Sequence, residues 1–327
     1  MRVEYSQASN SEVEKLKILV TGAAGFIGSH LVEALVKDGH QVIAIDALLP
    51  YLYPAEEKIR NWNLLGELGG SIKRHEIDLR EPLSGYEFAD CDYVFHLAAM
   101  PGLSLSWENT KLYIDCNVLA TANLLRACNP MTLKRFFYIS TSSVYGKNVT
   151  GDETSALVPV SPYGVTKLAA ENLVSAFSQA NEVSFSIFRL FSVYGPRQRS
   201  DMAFNIFIKK LLTNEVIDIF GDGTQSRANT YVSDIVEGLI AGLSKSKHAE
   251  IYNLCGNEQA SVMQILEILG ELTGKLPMIS NIRERLGDQQ ETRSVAQKAK
   301  TQLDFFPRTS LREGLNNQVQ WQLLGLK

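Results

Sequence analysis

The stretch that most constrains this chain is Thr21-Gly22-Ala23-Ala24-Gly25-Phe26-Ile27-Gly28. It is a G-x-x-G-x-x-G turn set between an apolar run, Leu16 to Val20, and a helix-period segment, Phe26 to Lys37. A strand that passes through a glycine-rich turn into a helix opens a βαβ unit, which points to a wound α/β sheet. Glycine at these places permits the tight turn, lets backbone approach a pyrophosphate, and lets helix pack on strand, with phosphate at the positive helix end. Taken alone, the turn is equally compatible with a purely structural role. The next strand-like run, Gln41 to Ile45, supplies a second signal, because Asp46 ends it. That is roughly the 20-residue distance at which a carboxylate meets a ribose diol and repels a 2′-phosphate. Gly22, Gly25, Phe26, Ile27, Gly28 and Asp46 are therefore candidate ligands of a dinucleotide, NAD in preference to NADP.

Strand and helix patterns alternate onward from Leu16, which favours an α/β parallel sheet. Further strands are expected at Ile72 to Ile77, Tyr93 to Leu97, Arg135 to Ile139 and Phe185 to Leu190, with helices at Leu112 to Ala127 and Tyr163 to Ala180. After about Gly195 the texture changes to glycine-rich turns and isolated helices around Asn205, Asp234 and Val262. The expected organisation is a flexible N-terminal extension over 1–15, a Rossmann domain over 16–195 and a smaller α/β lobe over 196–327, with segments free to interleave. The insertion at 47–70, with Tyr51, Tyr53 and Trp62, reads as a loop or short helix that could form a rim.

Composition narrows the function. At 327 residues, 45% hydrophobic and 21% charged, the chain can bury a substantial core. A net charge of -4 with scattered Lys and Arg gives no basic field, so a nucleic-acid partner is not expected. The four cysteines are far apart, without Cys-x-x-Cys pairs or zinc spacing, and read as reduced thiols in a cytoplasmic protein with no metal site. No apolar run is long enough for a membrane span, and the first residues lack the apolar core of a secretory signal.

Tyr163 and Lys167 stand four apart at the start of a helix and share a face. A lysine ammonium close to a phenol favours phenolate, so the tyrosine could take a hydroxyl proton near neutral pH while a nicotinamide takes a hydride. Such a pair by itself is common on exposed helix faces; following a dinucleotide turn and a hydroxyl-rich strand end, Ser140-Thr141-Ser142-Ser143, it reads as chemistry. That strand end alone is also compatible with a Ser/Thr turn bonded to nearby backbone.

The ordered motifs "TGAAGFIGSH", "DLR" at 78–80, "HLAA" at 96–99, Asn117, "STSSVYG", "SPYGVTK", "RLFSVYGPRQR", "GDGTQSR", "YVSDIVEGL", "RLGD" and "LREGL" run across nearly the whole chain. Together they resemble the extended short-chain dehydrogenase/reductase superfamily, in particular its NAD-dependent nucleotide-sugar epimerases and dehydratases. The resemblance implies a Rossmann-type sheet with a smaller substrate lobe, NAD as cofactor, and proton transfer by Thr141, Tyr163 and Lys167. It places Asp78 and Leu79 near adenine, and Leu97, Ala98, Ala99, Asn117 and Ser140 with the cofactor. By position, Arg227 and Arg285 match ligands of the substrate pyrophosphate, and Asp288 a contact of the uridine-side ribose. It also implies a homodimer through helices corresponding to Leu112–Ala127 and Tyr163–Ala180.

Within that family, dehydratases carry an acidic pair after the threonine, and UDP-glucuronate decarboxylases a Glu where Ser143 stands. This chain has neutral Ser142 and Ser143, which leaves oxidation and re-reduction at C4 as the leading chemistry. Ser192 and Arg199 in "FSVYGPRQR" are similar to the positions that, with Ser142 and Ser143, hold the C5 carboxylate in UDP-glucuronate 4-epimerases. Oxidising C4 of a glucuronate yields a β-keto acid, which loses CO₂ when the C5–carboxylate bond aligns with the carbonyl. A charge-assisted clamp restrains that alignment. The expected reaction is thus interconversion of UDP-glucuronate and UDP-galacturonate. Epimerisation of another UDP-sugar (glucose or N-acetylglucosamine type), decarboxylation, and a noncatalytic NAD-binding role stay open. Ser104, where related chains often have Arg, and Ala228-Asn229, where Asp-Phe is common, depart from the pattern.

Overall fold

A computed structural model describes residues 15–83, 90–149, 151–283, 291–294 and 296–325. The first half of the chain lays down β1 (Lys17–Thr21), α1 (Phe26–Lys37), β2 (Gln41–Asp46), α2 (Ala55–Gly66), β3 (Ile72–Glu76) and β4 (Tyr93–His96). A helical run follows: α3 (Ser104–Glu108), α4 (Thr110–Ile114), a π-helical turn (Asp115–Leu119) and α5 (Ala120–Ala127). Next come β5 (Arg135–Thr141), a 3₁₀ turn (Ser142–Val144), β6 (Asn148–Val149), α6 (Pro162–Asn181), β7 (Phe185–Leu190) and β8 (Ser192–Tyr194). The remainder holds α7 (Ala203–Thr213), β9 (Ile217–Phe220), β10 (Ser226–Tyr231), α8 (Val232–Lys245), β11 (Glu250–Leu254) and β12 (Glu258–Ser261). It closes with α9 (Val262–Thr273), β13 (Ile279–Ile282), β14 (Glu291–Thr292), α10 (Gln297–Leu303) and α11 (Leu311–Gly325).

Among the described residues, the main sheet has seven strands in the order β3-β2-β1-β4-β5-β7-β11, every neighbouring pair parallel. Alternate side chains of β1, β2, β4, β5 and β7 feed two cores, as a period of two requires. Ile18 and Val20 of β1, Val42 and Ala44 of β2, and Phe137 and Ile139 of β5 pack with α1 and α8 on one face. Leu19, Ile43, Phe136 and Tyr138 turn the other way, onto Ala120 and Leu124 of α5 and Ala170 and Val174 of α6. Near-continuous apolar strands follow from burial on both faces. Strand order reverses between β1 and β4, and in such sheets a crevice opens at the carboxyl ends of the strands there.

β11 comes from the chain's second half and pairs with β7 from Glu250↔Ser186 to Leu254↔Leu190, extending the main sheet. A smaller mixed sheet runs β12-β10-β14-β6, with β8 also on β10, and β13 pairs with β9.

One helix differs from its sequence expectation. Leu112 to Ala127 is broken by the π-helical turn at Asp115–Leu119, which carries Asn117. Asn117 uses its side chain inward: Oδ1 accepts from Met100 N at 2.7 Å, and Nδ2 donates to Met100 O at 3.1 Å and Thr166 Oγ1 at 3.0 Å. A regular helical period carries no sign of a widened turn; such turns appear where a functional side chain is re-aimed.

Candidate active site

A cavity of about 360 Å³ opens at the switch point, within the range of small-molecule sites. Its floor is the glycine turn. Gly22 has φ +68, and a Cβ there would lie 2.8 Å from Ala98 N. A Cβ on Gly28 would lie 2.1 Å from Gly22 O, so the start of α1 packs against the turn as only glycine allows. Gly25, Phe26 and Ile27 complete that wall, and the N-terminus of α1 has no side-chain cap. Asp46 stands on the wall at the end of β2, its carboxylate oriented by Ala24 N at 3.0 Å and Leu48 N at 2.9 Å. Backbone N–H groups at a helix start beside an oriented carboxylate fit a pyrophosphate and a ribose diol.

Leu97, Ala98 and Ala99, which follow β4, form the facing wall. They are braced from behind by a polar chain. Thr121 Oγ1 donates to Asn117 O at 2.7 Å and so accepts from His96 Nε2 at 2.9 Å. His96 Nδ1 then accepts from Thr21 Oγ1 at 2.7 Å, and Thr21 Oγ1 accepts from Ala98 N at 3.2 Å. Burial, aided by the Lys167 charge, lowers the His96 pKa to about 3, which keeps this ring neutral in its role as a brace. Asn117 belongs to this second layer and is absent from the cavity wall. The bracing role of Thr21, His96 and Thr121 was not expected from sequence, although Thr21 opens "TGAAGFIGSH" and His96 opens "HLAA"; the signal was a histidine ending an apolar strand, "YVFH".

At the far end, Asp78 and Leu79 line the cavity with Tyr51, Tyr53 and Arg80. Arg80 donates to the Asp78 carboxylate and to the Tyr51 hydroxyl at 3.0 Å, and its bonds to Asp78 hold that carboxyl below the usual range. The Tyr51 and Tyr53 loop therefore does form a rim. Lys58, Met100 and Cys116 also line the cavity and have no motif that would announce them, whereas Arg80 closes the "DLR" motif.

Ser140, Thr141, Tyr163 and Lys167 share the wall with Ser192 and Arg199. Helix α6 starts sharply here because Ser161 accepts from Gly164 N at 3.1 Å and Pro162 occupies the first turn. Tyr163 and Lys167 consequently face the carboxyl end of β5. Lys167, 2% exposed, donates Nζ to Ile139 O at 2.7 Å and lies 4.2 Å from the centroid of the Tyr138 ring.

The electrostatics differ from the sequence expectation. Burial raises the Tyr163 pKa, against the smaller downward effects of a hydrogen bond with Thr141 and the nearby Arg199 charge. Lys167 itself is brought down to about 7 by burial, opposed by Glu171. Desolvation thus outweighs the phenolate-favouring effect that the four-residue spacing suggested. Thr141 Oγ1 also accepts from Ser143 N at 3.2 Å, capping the 3₁₀ turn that follows.

The candidate substrate residues are only partly assembled. Ser192 and Arg199 are on the wall, but Arg199 already grips Asp201 with Nε to Oδ1 and Nη2 to Oδ2, both 2.9 Å. Ser142 is buried and Ser143 half-buried, both in the turn just behind the wall. Arg227 lies on β10, outside the wall, with Nη1 donating to Ser226 O at 3.1 Å. Arg285 and Asp288 lie outside the described residues.

A glycine turn at the switch point of a parallel sheet, an acid closing the second strand, and a Tyr/Lys pair across the same cavity define a dinucleotide-dependent enzyme of the short-chain dehydrogenase type. The model of the NAD dependent epimerase/dehydratase family matches residues 18–255, and the chain belongs to that family. A Bacillus subtilis (strain 168) protein described as an uncharacterized UDP-glucose epimerase, YtcB, is 42% identical over 314 residues, covering 94% of this chain and 98% of its own. The UDP-glucuronate 4-epimerase of Thermodesulfobacterium geofontis (strain OPF15) is 37% identical over 311 residues, covering 93% of this chain and 95% of its own. The crystal structure of the Bacillus cereus UDP-glucuronic acid 4-epimerase with UDP-glucuronic acid and NAD has a TM-score of 0.90 at 39% identity, covering 95% of this chain and all of that one. The protein is an NAD-dependent epimerase.

Proposed function

We propose that this epimerase acts at C4 of UDP-glucuronate, forming UDP-galacturonate through a 4-keto intermediate. The observation that carries the reading is the chemistry of one wall: Thr141, Tyr163 and Lys167 stand beside Ser192 and Arg199, with no carboxylate at Ser142 or Ser143. In the proposed roles, Gly22, Gly25, Phe26, Ile27, Gly28 and Asp46 hold the pyrophosphate and adenosine ribose of NAD, and Asp78, Leu79, Leu97, Ala98 and Ala99 flank it. When bound, NAD accepts the C4 hydride and returns it within the same turnover. Tyr163 takes the C4 hydroxyl proton, with Thr141 hydrogen-bonded to its phenol. Lys167, in its charged form, stabilises the phenolate, and Arg199 with Ser192 holds the sugar carboxylate.

The Arg199–Asp201 fork supports a second reading, epimerisation of a neutral UDP-sugar, because it leaves Arg199 with its charge already balanced. The two are separated by incubating the NAD-loaded protein with UDP-glucuronate and, in parallel, UDP-glucose, and following the H4 couplings by NMR, since epimers share a mass. Galacturonate from the first and no galactose from the second is the expected result. Conversion of UDP-glucose alone selects the neutral substrate, and loss of CO₂ from UDP-glucuronate selects a decarboxylase.

A further inference from the structure

Behind the Tyr/Lys wall lies a buried polar cluster that the proton-transfer scheme leaves unused. Glu171, 3% exposed, sits on α6 one turn beyond Lys167. Its carboxylate takes Arg189 in a fork, Nε to Oε1 at 3.0 Å and Nη2 to Oε2 at 2.7 Å, and Arg189 on β7 is 1% exposed. Oε1 also accepts from Ser140 Oγ. Arg189 Nη1 donates to the Tyr145 hydroxyl at 2.9 Å, which donates to Asn253 Oδ1 at 2.8 Å. A buried ion pair is weak evidence for stability, since apolar replacement is often neutral or better. The place of this one is more informative. Ser140 stands between Ile139, whose carbonyl takes the Lys167 ammonium, and Thr141, whose side chain meets Tyr163.

We infer that Glu171 is a positioning residue for the reaction: held by Arg189, it pins Ser140 to helix α6 and so fixes the Ile139 carbonyl against Lys167 and the Thr141 hydroxyl against Tyr163. The inference rests on Tyr163 and Lys167 being the proton-transfer pair. Glu171 also acts through its charge, opposing the downward pull of burial on Lys167. The other titratable groups facing Lys167 are Tyr163 on its own helix, Tyr138 on β5 and the neutral His96 on β4, with the Arg189 charge beyond Glu171. Glu171 is thus the carboxylate among the groups that set the charge of Lys167.

The test is Glu171→Gln in the NAD-loaded protein, read in two ways. NMR of protein carrying ¹³C-labelled lysine, with the Lys167 Cε resonance followed across pH, gives the titration midpoint of its buried amine, and the pH dependence of kcat gives its alkaline limb. With the carboxylate gone, Lys167 loses its proton at lower pH, and both features move down by about one pH unit or more. An unmoved midpoint and limb in a merely less stable protein would overturn the inference. Because Glu171→Gln leaves Arg189 unpaired and can cost the fold, Ser140→Ala is the second variant. It keeps the ion pair and deletes only the hydroxyl that pins the strand end. A kcat about tenfold lower at saturating NAD and substrate is expected; wild-type kcat overturns the positioning role. Tyr163→Phe is assayed alongside. Wild-type kcat in that variant defeats the proton-transfer reading itself, whereas its inactivity beside unaffected Glu171 and Ser140 variants defeats the positioning role alone.

Discussion

At the scale of single residues, the cofactor site depends on a contact that leaves no room for a methyl group. Gly28 faces the carbonyl of Gly22, and a Cβ would come within 2.1 Å of that oxygen, where the neighbour is backbone in a tight turn. The turn would have to open, and its amides would leave the place where a pyrophosphate fits. Gly28→Ala is therefore expected to lose copurified NAD, measured after denaturation by absorbance of the released nucleotide, and to lower stability by about 1–3 kcal/mol. Full NAD content in a soluble Gly28→Ala protein would show that the turn relaxes at no cost. Tyr163→Phe offers the contrasting case. It removes an acid/base hydroxyl without touching the turn, so kcat is expected to fall by about 10²–10⁴-fold while NAD stays bound; an unchanged kcat in that variant would rule out the tyrosine as the base.

At the scale of elements, the helical run that ends in α5 and the long helix α6 do more than cover one face of the sheet. Their inward residues, Ala120, Leu124, Ala170 and Val174, are buried in its core. Outward, Ile114 is 47% and Val165 52% exposed, with Leu119 and Trp107 exposed nearby in the chain. We propose that these apolar side chains pair with the same face of a second copy, because a two-fold contact needs only one self-complementary patch. Val165→Glu places two charges against each other across such a contact. The expected outcome is a shift from dimer to monomer by light scattering at micromolar concentration; a wild-type protein that is monomeric there removes the proposal. The π-helical turn between α4 and α5 belongs to the same run, and it re-aims Asn117 onto Met100 and Thr166.

At the scale of the whole molecule, strands β1 to β5, strand β7 and the glycine turn were legible in the sequence because their side-chain periods and backbone demands are local, whereas β11 and the strands of the smaller sheets lie in segments too short or too polar to show a clear period. Tyr163 and Lys167 were legible for the same reason, being a fixed distance apart on one helix. The brace through Thr21, His96 and Thr121 was hidden, because it joins side chains from three elements that only the sheet brings together. The direction of the Tyr163 and Lys167 shifts was hidden too, since burial is a property of the assembled fold. The same distinction bears on where the nucleotide-binding unit ends. A boundary near residue 195 follows the change in sequence texture, yet β11 pairs with β7 from beyond it. Helix α8 also supplies Val232, Ile235, Val236 and Leu239 to the core against α1. We propose that the unit able to fold and bind NAD includes both. A fragment of 16–195 would expose the whole edge of β7 and an apolar face of the sheet, both invitations to aggregation. It is expected to show no cooperative thermal transition and no retained NAD. A soluble fragment that melts cooperatively and keeps its nucleotide would place the boundary back near 195, and with it would demote β11 and α8 to additions on a self-sufficient sheet.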